Sequence, residues 1–460
     1  MKGKKSMKKL RIGALLLAGC LLAGCGSTEK TETKKDEKIK LQVTYSLKEL
    51  GSDETDVETI FAGYLKEHPN IEIESIPMSG SNSQMMSMIA AGNAPDIIRL
   101  SGFEDIPTYV SRKMIIPLDD YIAKSKVIDL NDLNDSVNLF RYDGKERGKG
   151  SIYGCVKDWS VDTQLWINKK LFREAGVNIP EENQAMTWDE LCDAAKKITK
   201  INKDGSIERI GMSISTPMPL ILEMMLTQRG ESLWTDDYKG TTLTKSPVTK
   251  EVFEYYTNLQ KSGVMASKLN PVDDEMAWFT SGKIGIMMSG YWAKAVMENA
   301  GDEGKVSTED IALIPSPVVN KGERFAAILS GAGAGISADS KHKDEAYELW
   351  EYIHFGELAD MRAKKGFGMP ATKAREALLP VNTEFEKSIL ASTLDDAKYL
   401  RNDIRINPYV NFASEKSVFD KYYVPVLYGT STVDEALKEI DKELTALISE
   451  GMEIAGENKK

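Results

Sequence analysis

The side chains able to do catalytic chemistry are few and poorly spaced. Three histidines, at 68, 342 and 354, lie in HPN, KHK and IHF, and none makes HExxH or pairs with a nearby cysteine or carboxylate at metal-ligand spacing. Glycines 331, 333 and 335 lack the GxGxxG spacing, and neither a GxxxxGK[ST] loop nor a GxSxG elbow occurs. The acidic pairs Asp119-Asp120 and Asp273-Asp274 have the composition for glycosidic acid–base work. Carboxylates are so abundant in this chain that a solvated surface is the expected home of both pairs. Chemistry of recognition is better represented. Arg99 and Ser101 follow the PDII run, where a guanidinium can bond hydroxyls or pair with a carboxylate. In KDWS, Asp158 sets an acceptor beside the flat apolar face of Trp159. Sugars ask for that pairing, because their C–H faces stack on rings while their hydroxyls need directed partners.

Elements must hold these residues, and the hydrophobic period shows which. Ile39, Leu41, Val43 and Tyr45 alternate with polar residues as in a strand. Val57, Ile60, Phe61, Tyr64 and Leu65 recur at helical spacing until HPN at 68–70 stops them. IEIESI reads as a second strand, Met85 to Ala91 as a helix ended by Gly92, and PDIIRL as a third strand. Strands alternating with helices in this way predict a parallel sheet, because parallel strands need crossovers. Ligands of such sheets bind beyond the carboxyl ends of the strands, where Arg99 and Ser101 fall. Downstream, T-x-x-E capping boxes at Thr187–Glu190 and Thr432–Glu435 each open a helix. IGIMMS (284–289) reads as a buried strand, and FAAILSGAGAGIS (325–337) as a strand broken by glycines. Ala346, Leu349, Trp350 and Ile353 mark one more amphipathic helix, and PMPLILEMML a buried one. The class is α/β with more than one sheet.

The N-terminus carries Lys2, Lys4, Lys5, Lys8, Lys9 and Arg11 with no acid, then the apolar run Ile12 to Ala23. That is a secretory signal, too short for a permanent bilayer span of roughly 20 residues. The L-A-G-C ending, present at Cys20 and again at Cys25, resembles the lipobox of bacterial lipoproteins, in which a diacylglycerol is placed on the cysteine. Cys25 is the expected lipid site: it leaves the whole apolar run upstream and the polar tether GSTEKTETKKDEK downstream. Net charge is −11, and without the six basic residues ahead of Cys25 it is −17, which argues against nucleic acid or an anionic membrane surface as a partner. Only Cys155 and Cys192 remain beyond the signal, so no disulfide framework is expected; buried thiols are favoured over one bridge.

In order, AAGNAPDII (90–98), PLDDYI (117–122), WINKKLFREAG (166–176) with TWDEL (187–191), FTSGKIGIMMSGYW (279–292) and ISADSKHKDEAYELWEYI (336–353) make the chain similar to a known family. It resembles the extracellular solute-binding proteins of ABC importers, in the carbohydrate-binding family that includes maltose-binding protein. Departures are Ile167 where tyrosine is usual, Cys155 where proline is usual, and Gly285-Ile286 in place of the usual alanine. The resemblance implies a two-lobed periplasmic-binding-protein-like α/β fold with discontinuous lobes and a multi-strand hinge. The implied divisions are a signal peptide at 1–24, a tether at 25–38, lobe one at 39–150 and 316–357, and lobe two at 151–315 and 358–455. It also implies a carbohydrate ligand, permease subunits as partners, no catalytic residue, no cofactor, no metal and a monomer. The protein would be lipid-anchored on the extracellular face of a Gram-positive type of cell. SGYW resembles the family's Gly-x-Trp turn, making Trp292 the first choice for stacking on the ligand and Tyr291 the second. Trp234, Trp278, Arg405 and Tyr409 are further ligand candidates, as are Ser330 and Gly331, where glycine lets a ligand approach the backbone. Trp166, Trp188 and Trp350 read as core. A glycan hydrolase built on a carboxylate pair and a ligand-presenting sensor of the same fold are the alternatives.

Overall fold

The computed structural model describes residues 38–50, 56–76, 82–329 and 331–457. Cys20, Cys25, the signal and most of the tether lie outside these residues, as does Ser330.

The first sheet grows from the alternation seen in the sequence. Strand β1 (Ile39–Val43) pairs in parallel with β2 (Ile71–Ser75) over its whole length and touches β3 (Ile97–Ser101) at Val43↔Ile97. Leu41, Val43 and Tyr45 are buried, as the period-2 pattern requires. Helices Val57–Ile60 and Ala62–Glu67 occupy the first expected crossover. They are one helix distorted at Phe61: that residue leaves the helical region, yet its N–H still reaches Val57 and its carbonyl still accepts from Leu65. Asn82–Ala90 makes the second crossover and ends at Gly92, whose φ of +73° is a left-handed cap.

Two more strands complete this sheet through antiparallel ladders, which extends the parallel expectation. In chain order the next elements are the hairpin β4 (Arg141–Tyr142) and β5 (Ser151–Ile152), then β6 (Cys155–Val156). The second sheet uses β7 (Leu165–Asn168), β8 (Lys200–Ile201), β9 (Ile207–Ile214), β10 (Ile284–Met288) and β11 (Ile311–Ile314). Last comes β12 (Ala332–Ile336), which returns to the first sheet antiparallel to β3 and to β6. The orders are β2-β1-β3-β12-β6 and β11-β7-β10-β9-β8. Of the predicted 325–337 strand, only its glycine-alternating second half joins a ladder.

Each sheet is the centre of one lobe. β7, β10 and β11 are buried at every position, which requires cover on both faces. Trp188–Ile198 packs on β9 and Glu384–Ala397 on β11. Both expected capping boxes are formed: the Glu190 N–H donates to Thr187 Oγ1 at 3.1 Å, and the Glu435 N–H to Thr432 Oγ1 at 3.2 Å. Met218–Thr227 is buried along its whole length, so its methionines are core. Trp166, Trp188 and Trp350 are core as well, and Asp119, Asp120, Asp273 and Asp274 are exposed. Cys155 and Cys192 are free thiols, the first buried and the second half-buried.

Three stretches of chain cross between the sheets and bond to one another. Trp159 and Met369 exchange backbone hydrogen bonds, each 2.9 Å long. The Asp162 N–H donates to Ala327 O at 3.0 Å, and the Ala327 N–H to Thr163 Oγ1 at 3.1 Å.

Candidate functional site

The segment from β6 to β7 runs between the sheets, bridging Met369 at Trp159 and turning at residues 162 and 163. Trp159, Val161 and Thr163 are buried. Trp159 is 3% exposed and its indole N–H donates to Pro370 O at 2.8 Å, so its ring is packing rather than a free stacking surface. Of the polar residues between them, Asp158 is half-buried, and Ser160 and Asp162 are buried.

Each of those three meets a glycine-bearing turn or a crossing strand. A Cβ on Gly290, just past β10, would lie 2.3 Å from Ser160 Cβ, so only glycine lets the turn seat there. The Trp292 N–H then donates to Ser160 Oγ at 3.2 Å, while its side chain stays 47% exposed. Beside Asp158, Gly368 holds φ at +80° and has no room for a Cβ, which would fall 2.7 Å from Asp158 Cβ. Its neighbour Phe367 is 39% exposed. One stretch of acceptors thus has an exposed aromatic near each of two members, Trp292 at Ser160 and Phe367 next to the glycine at Asp158. Asp162 fixes the third crossing by accepting from the Leu329 N–H at 3.0 Å.

From the first lobe, the ends of β1 and β3 face this strand. Arg99 pairs with Glu49 at 2.9 Å, and its N–H donates to Thr44 Oγ1 at 2.6 Å. Burial opposes ionisation of Glu49, but Arg99 and Ser46 outweigh it and hold the carboxyl below its ordinary value. Ser101 donates its N–H to Asp105 Oδ2 at 2.7 Å, while its hydroxyl is buried with no partner among the described residues. Glu104 is pushed up to about 8 by burial, with Asp105 and Asp162 adding repulsion and Arg99 relieving some of it. Ala332 ties the two together: it pairs with Ser101 in the ladder and accepts from the Lys157 N–H at 2.7 Å, so the crossing chain starts beside the end of β3. Asp158 is ion-paired to buried Lys157. Burial pulls the Arg362 guanidinium down to about 10 against the attraction of Asp158 and Tyr45.

The remaining candidates scatter. Tyr291 is fully buried beneath Lys294, whose Nζ lies 5.9 Å from the ring centroid. Trp234 is 2% exposed. Trp278 is half-buried and donates its indole N–H to Asp273 at 2.8 Å, with Lys283 over the ring. Arg405 is spent on Thr235 O at 2.8 Å, Trp234 O and Asp236. It lines a cavity of about 420 Å³ with Tyr142, Arg147 and Tyr238. Tyr409 is buried and bonds Glu457 at 2.8 Å. Gly331 accepts at its carbonyl from the Gly102 N–H and packs on Leu139, so it serves the join of β12 to β3.

Three acidic or aromatic groups escaped the sequence reading. Phe367 was signalled only by its flanking glycines in KGFGM. Glu223 is the lone charge in a wholly buried helix, 1% exposed, and accepts from the Leu233 N–H at 2.7 Å and Ser232 Oγ at 2.8 Å. Burial pushes it up to about 7. Glu415 falls on the apolar stripe of Phe412–Leu427 with Phe412 and Phe419, is 2% exposed, and has an Oε2 with no partner among the described residues.

Comparison with known proteins agrees on the architecture. The family model described as bacterial extracellular solute-binding protein matches residues 42–355. An ABC substrate-binding protein from Listeria monocytogenes in complex with cycloalternan is 23% identical, covering 89% of this chain and 98% of its own, with a TM-score of 0.70. An ABC transporter solute-binding protein from Agrobacterium vitis with bound D-mannitol is 20% identical over 91% and 98%, with a TM-score of 0.66. The sugar-binding protein MalE from Xanthomonas citri is 18% identical over 90% and 98%, with a TM-score of 0.65. At these identities the likenesses establish the fold. A mannitol-binding protein of Pseudomonas aeruginosa is 23% identical over 231 residues, 49% of this chain. The chain spans about half the length of that curated relative.

Proposed function

Because the chain belongs to the bacterial extracellular solute-binding protein family, we propose that it is a receptor capturing a sugar or short oligosaccharide between its lobes and delivering it to an ABC import permease. The observation that carries this reading is Trp292, held half-exposed at Ser160 in the Asp158-Ser160-Asp162 stretch, with Phe367 exposed beside the glycine that packs on Asp158. Aromatic faces beside a row of acceptors suit a ligand with C–H faces and many hydroxyls. The sugar and polyol ligands of structurally similar proteins support it.

The first lobe is taken to run through β6 and to include the helix Glu357–Lys365, which packs on Lys343–Phe355. The hinge is then the three crossings near 157–164, 315–331 and 366–383. Ligand drives closure only through contacts that are better in the closed form. Lipid on Cys25 would keep the receptor beside its permease, and two acyl chains suffice for a stable anchor. Mass spectrometry of the mature N-terminus should find diacylglycerol there; lipid on Cys20 or an unmodified N-terminus would refute it.

Isothermal titration against maltose, mannotriose, D-mannitol and related saccharides tests the central claim. Stoichiometric binding without turnover is expected. Tight binding of an amino acid, peptide or metal with no response to any saccharide or polyol would overturn it, and turnover would make the protein a hydrolase.

A further inference from the structure

We propose that the cavity between Arg112 and the start of helix Phe412–Leu427 binds a small organic anion, a monocarboxylate with a short apolar body. None of its lining residues belongs to the Trp292 turn or to the Asp158-Ser160-Asp162 stretch, so this would be a second site.

The cavity has a volume of about 340 Å³, at the low end of the about 300–1,000 Å³ usual for small-molecule sites. Its walls come from parts of the chain far apart in sequence. Arg112 ends the short helix Ile106–Ser111 that follows β3, and Met86 lies on the crossover helix before β3. Opposite them stand residues 409–411 and the helices Phe412–Leu427 and Val433–Ala455, which pack on each other and on Pro247–Lys261. Three contacts pin these walls. Ser111 Oγ donates to Pro408 O at 3.1 Å, and Tyr409 Oη donates to Glu457 Oε2 at 2.8 Å. Gly451 approaches so closely that a Cβ there would run into Tyr409 O.

What the cavity offers is an uncommitted cation. The Arg112 Nε is buried without a partner, and its guanidinium makes no hydrogen bond or ion pair among the described residues. A guanidinium is shaped to meet an oxyanion through two parallel hydrogen bonds, and a buried N–H without an acceptor is costly. Burial pulls Arg112 below its ordinary value, and the attraction of Glu450 and Tyr109 does not restore it. Two neutral donors line the same space. Asn411 turns its Oδ1 to the N–H groups of Ala413 and Ser414, at 3.0 and 3.3 Å, which leaves its Nδ2 to donate. The Ser414 hydroxyl is the other.

The rest of the lining narrows the anion. Glu450 is exposed at the rim and forms no ion pair with Arg112, so its charge works against a dianion such as phosphate more than against a monoanion. Met86, Val410, Leu447 and Ile454 give the remaining wall an apolar surface, which a carboxylate's hydrocarbon body can cover and a phosphate cannot.

Calorimetry and thermal unfolding at pH 7 with acetate, butyrate, hexanoate, hexanol and inorganic phosphate test the idea. Hexanoate should bind and raise the melting temperature, and affinity should climb from acetate to hexanoate as the apolar body lengthens. Hexanol and phosphate should each bind about tenfold more weakly than hexanoate, or less well still. Arg112→Gln should weaken hexanoate by about tenfold and leave hexanol unchanged. Glu450→Gln, which removes the rim charge, should tighten hexanoate. Lys113→Gln, an exposed neighbour outside the cavity, should leave it unchanged. Circular dichroism checks that each variant folds. Phosphate binding as tightly as hexanoate, or hexanoate affinity that a folded Arg112→Gln protein retains or that Lys113→Gln lowers equally, overturns the proposal. Absence of binding by every carboxylate at millimolar concentration does so too. If Arg112→Gln does not fold, failure of Glu450→Gln to tighten hexanoate is the result that overturns it.

Discussion

Replacing Trp292 with alanine should weaken ligand binding about tenfold and leave folding nearly untouched. The size follows from the exposure of the ring. A tryptophan side chain offers up to about 250 Å², and 47% of Trp292 is uncovered, leaving about 120 Å² available. A sugar stacked on one face covers about half of that, and at about 25 cal/mol per Å² the loss is about 1.5 kcal/mol, a factor of about ten in Kd. Stability should hold because the contact that seats the turn is a backbone one: the residue 292 N–H still donates to Ser160 Oγ. Calorimetric titration of wild type and W292A with the best-binding saccharide, alongside thermal unfolding of both, reads the two effects separately. Unchanged affinity in a normally folded W292A would refute the placement of the stacking surface. A large fall in melting temperature would instead show that the ring is structural.

Three further perturbations probe the supports of the site. Gly290→Ala forces a Cβ to within 2.3 Å of Ser160 Cβ, and should cost about 1–3 kcal/mol in denaturant unfolding while displacing Trp292 and lowering affinity. Asp158→Asn leaves Lys157 buried without its carboxylate; breaking such a pair typically costs about 3–5 kcal/mol, visible in the same unfolding assay. Stability should also fall as pH rises from about 4.5 to about 8. Glu223 at about 7 and Glu104 at about 8 keep protons in the folded state that the unfolded chain releases near its ordinary value of 4.5. The folded state therefore binds more protons in that window and the slope is negative. For Glu223 alone, the rise from 4.5 to about 7 corresponds to about 3 kcal/mol. Guanidinium titrations at pH 5 and 8 measure it, and Glu223→Gln should flatten the difference.

What could be read from the chain depended on whether a residue's environment is local or tertiary. β1, β2, β3 and β10, together with the two expected capping boxes, are written in spacing and in side chains three residues apart, and each formed where the pattern put it. The antiparallel entry of β12 between β3 and β6 could not be read this way, because it is decided by where a chain returning from the second sheet meets the first. Aromatic candidates divided along the same line. Trp159 and Trp234 were chosen for their chemistry, and both are buried, since period 2 fixes that neighbours alternate but not which set faces inward. Trp292 was chosen for its place just after a strand, and that place is topological: beyond the carboxyl end of β10 the chain must leave the sheet and turn, here over a glycine because nothing larger fits against Ser160. Glu223 and Glu415 carry the converse signal. Each is a charge set on an otherwise apolar helical face, where propensity and burial both argue against it. Such a mismatch is legible in the amino-acid pattern alone, and it identifies residues whose burial costs stability unless donors meet them, as Ser232, Leu233 and the Arg405 backbone meet Glu223.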